Sequence, residues 1–284
     1  MSSIARRVLT AAAVVMAATT SLGVAATATP QLYSAMHWRL VGPFRGGWAS
    51  FVTGVPQQLN TFYFGGAGGG VWKTDNAGRT WKPVFNHEPA AAIGALAVAP
   101  SNPDIVYAGT GQVTLRYDTG AGYGLFKSTD GGKHWQSVGL KNTRHIGAIW
   151  IAPHDPNIVV VGAQGQFFAP SAARGVFRST DGGRHWTHVL KINDWTGVSS
   201  IASDPQAPNV LFAAAWQARQ YPWLSYFTPA SGPGSAIYKS VDGGVHWTRL
   251  KGGGWPQGSL GRISLAVTHI KTGTRIYATI SSLK

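Results

Sequence analysis

Four near-copies of one short phrase constrain the fold of this chain more than any other feature. They are VWKTDNAGRTW (71–81), LFKSTDGGKHW (125–135), VFRSTDGGRHW (176–186) and IYKSVDGGVHW (237–247). Each runs a hydrophobic pair, a basic residue, then Ser/Thr-x-Asp/Asn-x-Gly-x-x-Trp. The closing tryptophans, Trp81, Trp135, Trp186 and Trp247, are spaced by 54, 51 and 61 residues. A supersecondary unit recurring at such a period is the mark of a repeat architecture, in which neighbouring units bury one another's apolar faces.

The phrase reads as strand, tight turn, strand. Trp72, Phe126, Phe177 and Tyr238 stand two residues before Thr74, Ser128, Ser179 and Ser240, the alternation of a half-buried strand. Asn76, Asp130, Asp181 and Asp242 have short side chains that bond nearby backbone N–H groups. Gly78, Gly132, Gly183 and Gly244 suit the positive φ of such turns. A second repeat lies between the first: VAPSNPDIVYAG (98–109), IAPHDPNIVVVG (151–162) and IASDPQAPNVLFAA (201–214), with degenerate copies at 52–66 and 265–279. Each is an apolar stretch, a Pro/Asn/Asp turn and a β-branched run. One unit therefore holds four strands, the make-up of a propeller blade. The expected fold is an all-β propeller of four-stranded blades. The units lie near 37–85, 90–140, 145–190 and 196–250, with an incomplete one at 258–284, about 4.5 blades in all.

The turn resembles the Asp-box, or BNR, repeat, whose S-x-D-x-G-x-x-W form three copies match closely. The first copy departs from it, with Thr74 in the Ser place and Asn76 in the Asp place. In that family the box is a stabilising hairpin on the outer part of a blade, remote from the active site, so the resemblance implies structural roles for these residues. Blades of this length are similar to those of sortilin-type luminal domains and of oligoxyloglucan-acting hydrolases. The stretches VGPFRGG and FYFGGAGGGVWKT resemble the start of large exported bacterial BNR-repeat proteins, and the likeness extends over 37–280. In the hydrolases a catalytic Asp precedes a Gly-Gly pair after the first core strand. The matching stretch, Tyr63–Gly70, has Ala67 there, and the second catalytic Asp would fall in a later half. Sialidases need an early Arg-Ile-Pro strand and a Tyr–Glu pair, whereas Glu88 is the only glutamate here. Short propellers that assist photosystem assembly rank third in likeness, having shorter blades.

Composition bounds the partners. The formal charge is +14, from 24 Lys and Arg against ten acidic residues. That balance favours anionic partners such as acidic polysaccharide or a membrane surface. Nucleic acid is not expected, because the basic residues are spread over every unit and no binding module is present. Cysteine is absent, which excludes disulfides and thiol chemistry. Met1–Ala28 reads as a signal peptide, with Arg6 and Arg7, a mildly apolar Val8–Val24 and a small-residue Ala26-Thr27-Ala28 site. Residues 29–284 are then the mature propeller, periplasmic or extracellular, with no transmembrane segment. The fifth unit reaches its core strand at Arg275–Ile280 without a following box, so missing blades are expected from a longer parent or from self-association.

Propellers bind ligands on the face built of inter-strand loops. Two insertions carry the candidates: 111–124 with Gln112, Arg116 and Tyr117, and 216–234 with Trp216, Arg219, Tyr221 and Trp223. Arg45 and Trp48, in the first-unit GPFRGGW turn, join them. Aromatics beside arginine and glutamine suit a glycan or an extended peptide. Asp118 and Asp194 are the only carboxylates left for catalysis. His134, His185 and His246 occupy one equivalent turn position in successive units, which keeps them apart and argues against a shared metal. The expectation is a binding module for peptide or glycan with no catalytic residue, cofactor or metal. The alternative is a fragment of a glycoside hydrolase acting on a β-glucan or xyloglucan-like polysaccharide.

Overall fold

Strands alternate with short turns throughout the computed structural model, which describes residues 34–36, 48–116, 119–221, 230–252 and 254–282. The first sheet comprises β1 (Ala49–Gly54), β2 (Phe62–Gly66), β3 (Val71–Thr74) and β4 (Lys82–Pro83). The second comprises β5 (Ile93–Ala99), β6 (Asn102–Thr110), β7 (Leu125–Ser128) and β8 (Gln136–Ser137). The third comprises β9 (Ile146–Ile151), β10 (Val159–Ala163), β11 (Gly175–Ser179) and β12 (Thr187–Leu190). The fourth comprises β13 (Thr196–Ser203), β14 (Leu211–Gln217), β15 (Ala236–Ser240) and β16 (Thr248–Arg249). A two-stranded sheet follows, β17 (Leu260–Ile270) with β18 (Gly273–Ser282). Each four-stranded sheet is an antiparallel meander in chain order. The leading strands pack on one another in series, β1 on β5, β5 on β9, β9 on β13 and β13 on β17. Four blades are thus arranged as a β-propeller, all within one compact unit, Arg45–Lys284.

Packing between blades explains the sequence of the second strand in each. β10 is buried along its whole length, covered on both faces by neighbouring sheets, so it reads as an unbroken apolar run. Glycine interrupts these runs at Gly65, Gly109 and Gly162 for a steric reason. A Cβ on Gly65 would lie 2.5 Å from Ile93 Cγ2, one on Gly109 would lie 2.4 Å from Ile146 Cγ2, and one on Gly162 would lie 2.8 Å from Val198 Cγ1. The leading strand of each next blade therefore inserts a β-branched side chain where the preceding blade has none. In the fourth blade Ala214 takes the glycine position and packs in one cluster with Ile263. Directly after the inserted residue the leading strand carries a bulge, seen as register slips at Ile93/Ala95, Gly162/Ala163 and Val198/Ser200. Bulges sharpen the local twist, which lets each blade splay from the next.

The repeated turn is held by one side-chain pattern. Ser128 Oγ accepts the Gly132 N–H at 2.8 Å and donates to Asp130 Oδ1 at 2.8 Å. Asp130 Oδ1 also accepts the N–H groups of Lys133 and His134, at 3.0 and 2.9 Å. Ser179–Asp181 and Ser240–Asp242 repeat the arrangement, and Thr74–Asn76 reproduces its backbone bonds to Gly78 and Thr80. The backbone bond from His134 holds the Asp130 carboxyl well below its usual range. Two successive residues adopt positive φ, Gly131 and Gly132 at 68° and 88° in the second blade. In the first blade the leading one is Ala77, at 57°.

The three later turns also receive side chains from the blade before them. The Gly131 carbonyl accepts Tyr63 OH and Lys73 Nζ, both at 2.9 Å. The Gly182 carbonyl accepts Tyr107 OH at 3.2 Å and Lys127 Nζ at 3.4 Å, and the Gly243 carbonyl accepts Arg178 Nε at 3.0 Å. Burial pushes the Tyr63 hydroxyl up to about 12 and that of Tyr107 also upward, so both remain donors. Trp135 and Trp186 reach back in turn, donating Nε1–H to the carbonyls of Val84 and Val138 at 2.7 Å. The β17–β18 hairpin is tied differently. Buried Asp204 accepts the His269 Nδ1–H at 3.0 Å, the Thr274 hydroxyl and the Gln206 N–H. The Thr274 bond leads the effects that lower the Asp204 carboxyl to about 2.

Three outcomes test this account. Gly109→Ala should cost about 1–3 kcal/mol by overpacking. Adding Ile146→Ala should recover part of that loss, giving a favourable coupling energy in a denaturant double-mutant cycle. Ala77→Gly should stabilise the chain by about 1 kcal/mol in the same assay, by removing a left-handed alanine. Because the folded-state pKa of Asp204 is depressed, its contribution is present above the unfolded value of about 4 and is lost as pH falls through about 2. Asp204→Asn should therefore lower Tm at pH 6, and the gap to the unmodified chain should close between about pH 4 and pH 2.

Candidate functional site

The β2–β3, β6–β7, β10–β11 and β14–β15 connections emerge where the leading strands begin, so they share one face. Backbone pairing fixes equivalent positions on it. Ala67 N–H bonds to Trp48 O, Gly111 N–H to Ala92 O and Gln164 N–H to His145 O, each at 2.8 Å. In the fourth blade Trp216 stands opposite Gly197 in the same register. Ala67, Gly111, Gln164 and Trp216 thus form one layer, and none of them carries a carboxylate.

In the segments around these positions guanidinium groups lie over aromatic rings. Arg116 sits 4.4 Å from the Trp48 ring centre, and Arg219 sits 4.8 Å from Trp195 and 4.2 Å from Tyr221. Arg262 lies 5.8 Å from Trp216, and Arg174 lies 6.0 Å from Trp195. Such pairs fix both partners and leave guanidinium edges to donate in plane. Arg174 is fully buried and donates to the carbonyls of Trp195, at 2.9 Å, and Gln166. Burial lowers its pKa to about 10, which still leaves it charged at neutral pH. Burial also lowers His145 to about 4, so the ring is neutral and its Nδ1–H donates to Gly165 O at 2.8 Å. The His145 ring packs on Phe167 at 4.5 Å, and Phe167 lies beside Trp216.

The sequence-selected residues divide into three groups. Trp48, Arg116, Arg219 and Tyr221 take part in the aromatic–guanidinium pairs, with Trp48 53% exposed. Trp216 and Gln112 are buried and hold loops in place. Trp216 Nε1–H donates to Ala230 O at 2.8 Å, and Gln112 Oε1 accepts the Gly120 N–H at 3.3 Å. Arg45, Tyr117 and Trp223 lie outside the described residues, as does Asp118. Asp194 pairs with Lys191 at 2.9 Å. Sequence reasoning missed His145, Phe167, Arg174, Trp195 and Arg262. Their signal is positional, since His145, Trp195 and Arg262 each lie next to the inserted β-branched residue or within three positions of it. The histidines of the repeated turns, His134, His185 and His246, are largely exposed at the opposite ends of the strands, each paired with its own Asp. Among the described residues no group of three or more metal-ligating side chains forms, and no helix is long and apolar enough to cross a membrane.

The architecture and this loop face define a β-propeller with an aromatic, basic surface. No protein-family model matches the chain. Among curated proteins, a xyloglucanase of a Paenibacillus species is 26% identical over 244 residues, 76% of this chain. The chain spans only 22% of that relative's length. Among solved structures, an ancestral GH74 enzyme superposes with a TM-score of 0.57 at 20% identity, over 82% of this chain and 32% of that one. YCF48 bound to D1 peptide superposes with a TM-score of 0.52 at 11% identity, over 83% of this chain and 61% of that one. These structural likenesses concern the fold.

Proposed function

We propose that this chain is an exported binding propeller that takes an extended peptide or glycan across its loop face and performs no hydrolysis of its own. One observation carries the reading: aromatic–guanidinium pairs gather in the segments that lead to and from four equivalent positions, Ala67, Gly111, Gln164 and Trp216, that hold no carboxylate. Stacked rings suit the flat faces of sugars or of extended peptide side chains, and guanidinium edges supply directed hydrogen bonds. Inverting hydrolysis needs two carboxylates about 6.5–9.5 Å apart. Ala67 stands at the position resembling one of them, and Asp194, which is in the loop before β13, is engaged by Lys191. The repeated turns are read as Asp-box hairpins, whose bonds stabilise blades and bind nothing. Met1–Ala28 is read as the export signal, which places the propeller in the periplasm or outside the cell. A neighbour that holds a peptide and a relative named for xyloglucan support polymers as the ligand class.

The second reading, a piece of a xyloglucan-directed hydrolase, rests on the 26% identity to the xyloglucanase. One experiment separates the two. Purified chain is titrated calorimetrically with xyloglucan oligosaccharides and with a peptide library, while reducing ends are assayed in parallel. Binding without release of reducing ends is expected, and Arg219→Ala should weaken it about tenfold with Tm unchanged. Turnover of xyloglucan by the purified chain would overturn the binding-only reading.

A further inference from the structure

A cavity of about 490 Å³ lies at the boundary between the fourth blade and the β17–β18 hairpin. Three segments wall it: the end of the β14–β15 connection (Gly232, Pro233, Ser235), the end of β16 with the following residues (Arg249, Lys251, Gly252), and the approach to β17 (Trp255, Pro256, Ser259). Its size falls within the range of small-molecule sites. The walls are anchored. Gly232 N–H bonds to Leu260 O at 3.1 Å, joining the first segment to the third, and Leu250 N–H bonds to Ile237 O at 2.8 Å. Trp255 packs against the cluster of Phe212, Ile237 and Ile263, so the indole forms a fixed, half-buried wall.

The charge on this lining has one sign. Arg249 and Lys251 are both exposed, and no acidic residue lines the cavity. Neither basic residue belongs to the donors that reach the next blade, which are Lys73, Lys127 and Arg178. An aromatic wall, two cations and the exposed Ser259 hydroxyl, open to solvent on one side, make a combination that neither a neutral sugar nor a bare anion fully uses. We infer that this cavity binds an anionic sugar, a uronic acid residue or the end of a short uronate chain. The ring lies along Trp255 and the carboxylate faces Arg249 and Lys251. The two basic residues supply charge-assisted hydrogen bonds, and the indole supplies the apolar contact that selects a ring. The site borders the loop face through the β14–β15 connection but uses none of its aromatic–guanidinium pairs, so it does not depend on the reading above.

The test is calorimetric titration of the full chain with digalacturonate, using galactobiose as the uncharged match and inorganic phosphate as the charge without a ring. Digalacturonate should bind, the other two should bind at least tenfold more weakly, and Arg249→Ala and Lys251→Ala should each weaken binding about tenfold. Near-ultraviolet circular dichroism of each variant reports whether the Trp255 wall is intact, and Lys251→Gln provides a second, milder variant at the same position. Arg219→Ala should leave digalacturonate binding unchanged. Equal affinity for galactobiose or for phosphate would overturn the assignment. So would insensitivity to both Arg249→Ala and Lys251→Ala in folded variants. Loss of digalacturonate binding in Arg219→Ala would overturn it too, by placing the ligand on the aromatic–guanidinium pairs and leaving the binding-propeller reading standing.

Discussion

The insertion of a β-branched side chain from one blade into a gap left by glycine in the blade before it is the contact on which the rest of the structure rests. Ile93 against Gly65, Ile146 against Gly109 and Val198 against Gly162 bring neighbouring sheets to a separation that no larger residue tolerates. That close approach buries β10 on both faces and sets the bulges that splay the blades. It also brings the turn carbonyls within reach of tyrosine, lysine and arginine donors from the preceding blade. A chain with no disulfides and few ion pairs among its described residues is held by this repeated steric fit, with hydrogen bonds fixing its register.

Much of this is legible in the amino-acid sequence, and what is not has a physical reason. The Ser, Asp and Gly positions of the turns could be read directly, because each acts on backbone within four residues of itself. The four-strand unit could be read from two interleaved periodicities. The role of Gly65, Gly109 and Gly162 could not, because a strand glycine looks the same whether it marks a bend or a gap filled from another blade. Ala77 was equally silent, since the strain at its φ arises only from superposing its turn on the three glycine-bearing copies.

The loop face was only partly legible, for a related reason. Trp216 stands out in an aromatic-rich insertion, yet its indole turns inward to bond Ala230 O and to pack beside Phe167. Large rings in a loop over a propeller serve as readily to roof the blades as to meet a ligand. Arg174, Trp195 and Arg262 come from different blades and share no sequence period. Only the ring-wise arrangement of the sheets brings such residues together, and a linear reading cannot see it. Scarcity of acid was the one property of the face visible from composition, and it agrees with the carboxylate-free layer at Ala67, Gly111, Gln164 and Trp216.

The tyrosine, lysine and arginine donors that meet the turn carbonyls run from an earlier blade to a later one, while Trp135 and Trp186 return bonds to Val84 and Val138. Tyr63 and Lys73 meet Gly131, Tyr107 meets Gly182, and Arg178 meets Gly243, over separations of 58 to 75 residues. This polarity has a kinetic meaning. During synthesis from the N-terminus, the donors of a finished blade are already in place when the next turn emerges, and no contact of this kind waits for more than about one further unit. Loop closure at each step stays short and of similar length, a condition that favours growth by sequential addition over search through the whole chain. Each blade's turn is thus met by donors that the preceding blade already holds. An early lesion, at Gly65 or Tyr63, is then inherited by every stage that follows, whereas a late one leaves the earlier blades formed.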